Sequence, residues 1–135
     1  MTDPSFRIHD TSDFPLIRFR LEAMQPGYGP AWCAEMDALV GGDRAYVMIF
    51  PEGRREEEHE DRKLRGQWLK RNKDALARTC LGLIVVEPDA ERRAALEIQF
   101  PQLRKAFGAP QMAAASQIEA EIVGRRLLAG EEAED

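Results

Sequence analysis

The segment Leu81–Pro88, with the sequence LGLIVVEP, constrains the fold more than any other stretch of the chain. Its apolar residues follow one another without alternation, several are β-branched, and the run is too short to cross a membrane. Runs of this kind are typical of a strand buried on both faces, as in a parallel sheet with helices on each side. We therefore predict that this segment lies in the middle of a sheet, between parallel neighbours.

A long helical pattern leads into this strand. The stretch Glu56–Cys80 is predicted to be one helix, because Leu64, Trp68, Leu76 and Cys80 recur at multiples of four residues. Its first turns are acidic and its later turns are basic, an order that suits the helix dipole at both ends. The strand is therefore preceded by an amphipathic helix with a strongly charged outer face.

The remaining segments complete an alternating order. Strands are predicted at Phe6–Ile8, within Pro15–Ala23, at Ala45–Phe50 and at Gln111–Ala115. Helices are predicted at Ala31–Val40, from Asp89 to Phe107 with a break or kink at Pro101, and from Ser116 onward. The order β-β-α-β-α-β-α-β-α indicates an α/β fold with a single, mostly parallel sheet of four or five strands covered by about four helices. We expect residues 1–130 to form one domain and residues 131–135 to form a disordered acidic tail.

The core is predicted from the larger apolar side chains of each helix. These residues are Trp32, Met36 and Trp68; the modest face Ala94, Ala95 and Ile98, which continues through Phe100, Leu103 and Phe107; and, in the last helix, Ile118, Ile122 and Leu127. The two cysteines, Cys33 and Cys80, lie far apart without metal-ligand spacing and are expected to be reduced core residues.

Composition narrows the class of protein. The chain has 135 residues, of which 44% are hydrophobic, and its formal net charge is −5. A generic nucleic-acid-binding protein would carry a basic excess, so we expect no nucleic-acid partner. The chain shows neither a secretory signal pattern nor an apolar run long enough for an integral membrane segment, and we expect a cytoplasmic protein.

No catalytic signature stands out in the sequence. A nucleophile needs a positioned base beside it, whereas the two histidines, His9 and His59, have no such pattern around them. The strand-to-helix turns lack the glycine-rich sequence that cradles phosphate. We therefore predict no catalytic residues, no cofactor and no enzymatic activity. A weak metal candidate is formed by Glu56, His59 and Glu60, which share one helix face through their i, i+3, i+4 spacing.

Basic side chains provide the candidate binding residues. Arg54 and Arg55 are the cations expected near the carboxyl ends of the parallel strands, where ligands bind in open α/β sheets, and a small anionic ligand is the natural candidate. On the long helix, Lys63, Lys70 and Arg71 would form the centre of a basic face able to bind an acidic protein or an anionic lipid surface. Each group is alternatively a solvated charged surface without a function.

The segment Trp68–Leu96, WLKRNKDALARTCLGLIVVEPDAERRAAL, together with the order of elements, resembles the STAS-like (SpoIIAA-like) group of small α/β proteins. The resemblance implies a non-enzymatic binding or regulatory module. The best-known members of the group act as anti-sigma-factor antagonists, which are switched by phosphorylation of a Ser or Thr at a helix start.

This chain departs from that pattern at the switch. The matching region reads PEGRREEEHEDRK, and no Ser, Thr or Tyr occurs between Val47 and Arg78. The phosphorylation switch is therefore not carried over. Glu56 and Glu57 either hold a fixed negative charge in place of the phosphate or are ordinary acidic residues of a first helical turn.

Together these observations predict a non-enzymatic cytoplasmic binding or regulatory module that acts through protein–protein contacts or homodimerisation. The alternative is a small-ligand or lipid carrier with a pocket between the sheet and the helices. That alternative requires a cavity, which the small side chains of Ala90, Ala94 and Ala95 are expected to leave.

Overall fold

The computed structural model describes residues 6–42, 44–51 and 58–130. These residues form one five-stranded sheet in the spatial order β1-β2-β3-β4-β5. The pair β1–β2 is antiparallel, and the other three pairs are parallel. The strands are β1 His9–Asp10, β2 Leu16–Phe19, β3 Tyr46–Phe50, β4 Cys80–Val86 and β5 Gln111–Ala114.

Helices cover both faces of this sheet. They are α1 Gly29–Val40, α2 His59–Arg71, α3 Lys73–Thr79, α4 Ala90–Phe107 and α5 Gln117–Leu128, with a short 3-10 helix at Leu21–Ala23. Within the described ranges, no helix is both long and apolar enough to cross a membrane. The predicted α/β class, with a single mostly parallel sheet covered by helices, is confirmed.

The central position of the LGLIVVEP segment is also confirmed. Strand β4 lies between β3 and β5 and runs parallel to both. Ile84 is fully buried against α5, whereas Leu83 and Val85, which neighbour it along the strand, are only half-buried. The strand is therefore less completely covered on the face that carries Leu83, and this difference locates the candidate site described below.

Two apolar cores form, one on each face of the sheet. The first joins side chains of β2 and β3 to α1, α2 and α3, with Trp32, Met36 and Trp68 among its buried members. The second joins β2, β3 and β4 to α5 through Ala120 and its neighbours. Helix α4 is attached less closely, since Phe100 is its single buried residue.

The long helix predicted over Glu56–Cys80 is two helices. Helix α2 ends at Arg71, and α3 begins at Lys73. Asn72 lies between them, and its φ of −112° and ψ of 23° are not helical. The Trp68 carbonyl oxygen accepts two hydrogen bonds from Asn72, one from its backbone N–H at 3.0 Å and one from its side-chain amide at 2.9 Å. Cys80, expected on a helix, is the first residue of β4.

The core face predicted for the last helix is largely wrong. Ile118 and Ile122 are 74% and 48% exposed, and the buried residues of α5 are Ala120 and Gly124. A Cβ atom on Gly124 would lie 2.7 Å from Leu16 Cδ1, so the helix packs so close to the sheet that any larger residue would force the buried Leu16 side chain to shift. Small side chains spaced by four residues, and not the isoleucines, therefore set the orientation of α5.

The apolar face predicted for α4 is wrong in the first half of the helix, whereas its continuation through Phe100, Leu103 and Phe107 lies on the covered side. Ala94 and Ala95 are exposed, and Ile98 is 80% exposed, whereas Phe100 points inward. The helix also continues through Pro101, although a break or kink was expected there.

Candidate functional site

The candidate site is an apolar cavity between the sheet and helices α1 to α4, with a volume of about 140 Å³. Its buried wall consists of Phe19, Trp32, Met36, Met48, Leu76, Cys80 and Ala109. Its half-buried rim consists of Phe50, Arg65, Leu69, Leu83, Leu103, Phe107 and Gln111. The cavity therefore meets solvent on the side where residues of α2 and α4 face each other.

The sequence produces this cavity through the loose attachment of α4. The inward residues of that helix near the cavity are Leu103 and Phe107, and both remain half-buried. Gly108 then ends the helix with φ at +90°, and a Cβ atom there would overlap the carbonyl oxygen of Lys73. The end of α4 is thus held against α3, while the part of the sheet around Leu83 is left partly uncovered.

The volume of the cavity corresponds to a small ligand. An engineered apolar cavity of about 150 Å³ in another protein stays dry and binds benzene or xenon. The cavity of this chain is close to that size and has a similarly apolar wall. It is too small for a long lipid chain and large enough for a compact apolar group.

Polar groups in the wall are few. Arg65 is the single charged side chain among the described residues that line the cavity, and its Cζ lies 5.5 Å from the centroid of the Trp32 ring. Arg65 Nη1 also donates to the hydroxyl oxygen of Tyr28 at 3.1 Å. Among the described residues, no partner accepts a hydrogen bond from the buried Nε1 of Trp32. The Arg65 guanidinium and the Trp32 indole together form the polar end of an otherwise apolar site.

A buried ionisable pair lies behind the cavity wall. His9 Nδ1 is 2.7 Å from Glu35 Oε1, and the ring of His9 is 4.6 Å from the ring of Phe19, centroid to centroid. The Glu35 carboxylate also accepts hydrogen bonds from the backbone N–H groups of Arg7, Ile8 and His9. Glu35 therefore fastens the segment that leads into β1 to helix α1.

The protonation states of this pair follow from its surroundings. Burial lowers the pKa of His9 despite the hydrogen bond to Glu35, so the imidazole is neutral near neutral pH. Burial alone would raise the pKa of Glu35, but the hydrogen bonds from His9 and from backbone N–H groups outweigh it and lower this pKa. His9 Nδ1 then donates to an ionised carboxylate, and Nε2 carries a lone pair without a partner among the described residues.

The cysteines are both free thiols, as expected. Cys80 is buried in the cavity wall, and burial raises its pKa to about 12. Cys33 is half-buried on α1, and burial raises its pKa as well. Thiols in this state stay protonated at neutral pH and are poor nucleophiles.

The candidate binding residues predicted on α2 do not lie at the cavity. Lys63, Lys70 and Arg71 are exposed on α2, and none of them lines it. Arg54 and Arg55 lie outside the described residues. The anion site and the basic face therefore stay predictions.

Only part of the predicted metal site lies within the described residues. His59 and Glu60 are exposed in the first turn of α2, whereas Glu56 lies outside the described residues. In the described part of the chain, no three side chains of His, Cys, Asp or Glu form a cluster that could hold a metal ion.

Asp89 and Ser116, which follow strands β4 and β5, are helix caps. Asp89 accepts a hydrogen bond from the Arg92 N–H at the start of α4, and Ser116 accepts one from the Glu119 N–H at the start of α5. Neither residue lines the cavity, which lies under the helices and not beyond the ends of the strands.

Sequence reasoning missed the role of two buried acids, Glu35 and Asp61. The Asp61 carboxylate accepts hydrogen bonds from the backbone N–H groups of Gly27 at 2.8 Å and Gly29 at 2.9 Å. Acidic residues on amphipathic helices normally face solvent, and the donors lie some 30 residues away in the sequence. The one available signal was the position of Glu35 beside Met36 on the apolar side of its helix.

A second, more polar groove lies beside β5. It has a volume of about 1100 Å³ and is lined by charges of both signs, including Asp74, Glu97 and Arg104, together with apolar residues of β5 and α5. Strand β5 is at the edge of the sheet and pairs only with β4 among the described strands. Its outer backbone groups face this part of the surface.

Comparisons with known proteins give no match: no protein-family model fits the chain, and no curated protein or solved structure is significantly similar to it. The resemblance to the STAS-like group therefore stays a prediction.

Proposed function

We propose that this chain is a binding protein that holds a small, largely apolar ligand in the cavity between the sheet and helices α1 to α4. The observation that carries the proposal is the cavity itself, with a volume of about 140 Å³ and a wall of aromatic, aliphatic and methionine side chains. Apolar cavities with a few convergent polar groups are the usual form of small-molecule sites. This is the carrier alternative of the sequence analysis, narrowed to a compact ligand.

In this proposal the ligand is bound and not transformed. The one thiol in the wall, Cys80, is kept protonated by a pKa raised to about 12 through burial. His9 and Glu35 lie outside the residues that line the cavity. Within the described wall, no nucleophile therefore stands beside a base, as nucleophilic catalysis would require.

Thermal unfolding with and without benzene tests the proposal. A ligand that binds only the folded chain stabilises it by RT ln(1 + [L]/Kd), so we expect the Tm of the unmodified protein to rise with the benzene concentration. The variant L69W places a larger ring at the rim of the cavity and should abolish the increase. The matched variant L96W changes a half-buried leucine of α4 that does not line the cavity and should keep it.

Two results would contradict the proposal. One is a Tm that does not change with benzene in the unmodified protein. The other is an increase of the same size in L69W and in the unmodified protein, because binding would then occur elsewhere.

A second candidate function is the protein–protein contact expected from the sequence, and the exposed edge of β5 favours it. The carbonyl oxygens of Pro110 and Ala114 accept hydrogen bonds from β4, so the backbone groups of Ala113 point outward. The strand has no charged residue of the kind that protects exposed edges. A second copy of the chain is the partner we propose, with β5 pairing to β5 across a twofold axis.

The molar mass in solution tests this second function. We expect a dimer for the unmodified protein and a monomer for A113P, because proline removes an outward N–H group without disturbing the pairing to β4. A monomer at every concentration of the unmodified protein would rule out the contact, and so would a dimer that A113P leaves intact.

A further inference from the structure

The exposed edge of β5 lies beside an exposed side of helix α4. Glu97, Pro101 and Arg104 of this helix line the same groove as Met112 and Ala113 of β5. All three helix residues are exposed. A partner that adds to the edge of β5 will therefore also meet this side of α4.

Ile98 makes this side of α4 apolar. It is 80% exposed, the highest value for a large hydrophobic side chain among the described residues. It lies four positions after Ala94 and three before Pro101, spacings that place the three side chains on one face of the helix. Charged residues of the groove, among them Glu97 and Lys105, border this face. An apolar patch rimmed by charges favours a protein–protein contact.

The charges beside the patch are complementary to their own twofold image. Glu97 lies about one helical turn before Pro101, and Arg104 lies about one turn after it. Among the described residues, neither side chain forms an ion pair within its own chain. If a second α4 lies antiparallel to the first across an axis near Pro101, Glu97 of each copy faces Arg104 of the other. A twofold contact requires this kind of self-complementarity.

The same axis passes through the middle of β5. Helix α4 runs opposite to β5, because it connects the parallel strands β4 and β5. Pro101 lies about 10 Å along the helix from Gly108, at a rise of about 1.5 Å per residue. Ala113 lies about 10 Å along the strand from Pro110, at a rise of about 3.3 Å per residue. Pro101 and Ala113 are therefore level with each other, and one axis near both would pair β5 with β5 and α4 with α4.

We propose that two copies of this chain associate through α4 as well as β5, with Ile98 packed against the other copy's α4 and Glu97 paired with Arg104 across a twofold axis. The inference rests on the second candidate function, because it extends the proposed β5 contact onto the helix. Exposed ion pairs contribute little free energy on their own. Burial of Ile98 therefore supplies affinity, and the charges set the orientation of the two copies.

Two exposed isoleucines provide a matched test of the apolar contact. I98E places a charge in the proposed interface and should raise the dissociation constant of the dimer by about tenfold or more. I118E makes the same change at Ile118, which is 74% exposed on α5 and does not line the groove. It should leave the constant within about twofold of the unmodified value. Sedimentation equilibrium over a range of protein concentrations measures both constants, and circular dichroism checks that both variants are folded.

A charge exchange tests the pairing across the axis. E97R brings positive charges together at both pairs and should weaken the dimer. The double variant E97R/R104E exchanges the two signs and should restore the dimer, although each single substitution disrupts it. The effect of E97R should become smaller as salt is added, because exposed charges are screened.

The outcomes separate this inference from the β5 contact. A dimer that I98E and E97R leave unchanged would overturn the α4 contact and leave the pairing of β5 standing. Equal weakening by I98E and I118E would overturn the assignment of the face, and a double variant no stronger than E97R would overturn the twofold charge pairing. A monomer at every concentration of the unmodified protein would overturn both the α4 contact and the β5 contact.

Discussion

His9 Nδ1 lies 2.7 Å from Glu35 Oε1, and both side chains are buried. The same carboxylate accepts hydrogen bonds from three backbone N–H groups in the segment that leads into the sheet. An ionised carboxylate is stable in such a place because four donors replace the water that it loses. Glu35 is thus a structural residue that ties the start of the chain to α1.

The E35Q variant should lower the free energy of unfolding by about 2–4 kcal/mol, because an amide leaves buried donors without acceptors. Urea unfolding at neutral pH measures this change. The control is E97Q, which alters an exposed acid on α4 and should change the free energy by less than about 0.5 kcal/mol. Equal effects of the two substitutions would contradict the role assigned to Glu35.

Stability should fall as the pH is lowered through 6.5, the ordinary pKa of histidine. Because burial lowers the pKa of His9, the unfolded chain takes up the proton first, and protonation therefore favours unfolding. Unfolding free energies measured at pH values from about 7.5 to 5.5 test this sign. H9Q keeps a donor to Glu35 without titrating and should flatten the profile, whereas H59Q, at an exposed histidine, should not change it.

Gly66 and Gly108 should respond to alanine in opposite directions. No atom lies within 4 Å of a Cβ built on Gly66, in the middle of α2, so G66A should stabilise the protein by about 1 kcal/mol. Gly108 has φ at +90°, and its Cβ would overlap the Lys73 carbonyl, so G108A should be strongly destabilising. Chemical denaturation of both variants measures the difference, and a loss of stability in G66A would show that the site is more crowded than the structure indicates.

Helix α5 should tolerate a substitution at the exposed Ile118 but not at the buried Gly124. I118S should leave the free energy of unfolding within about 0.5 kcal/mol, since Ile118 is 74% exposed. G124V should lower it by about 1–3 kcal/mol, because the added side chain overpacks the contact with Leu16 and Val47. If I118S lowered the free energy of unfolding more than G124V, the result would contradict the orientation assigned to α5.

The sequence was sufficient to predict elements whose signals are local. The continuous apolar run of LGLIVVEP identified the central strand, and Ser116 with Glu119 identified the start of α5, where both side chains cap the helix in the structure. Helix α1 was predicted within two residues because its apolar stripe and its terminal glycine agree. Local composition decides these features, so no tertiary information was needed.

The features that failed depend on contacts between distant segments. The face of α5 was assigned from Ile118 and Ile122, although Gly124 and Ala120 make the contact with the sheet. The break at Asn72 interrupts a pattern that continues across it, and nothing in the periodicity marks the position. Close helix–sheet approach reverses the usual rule that large apolar residues face inward.

The sequence predicted a cavity only as a requirement of the alternative function, and the residues expected to produce it were the wrong ones. Ala90, Ala94 and Ala95 were expected to leave the space, but all three are exposed. The space comes from the incomplete cover of Leu83 by α4. Its polar end was also missed, because Trp32 and Arg65 are 33 positions apart and each has an ordinary structural interpretation in sequence.

Whether the cavity takes up a ligand is tested most directly by ¹³C-methyl NMR of the methionines during a titration with benzene. Met36 and Met48 line the cavity, whereas Met112 does not line it. We predict saturable shifts of the Met36 and Met48 methyl signals with one common dissociation constant, while the Met112 signal stays in place. Unchanged Met36 and Met48 signals at saturating benzene would contradict this prediction.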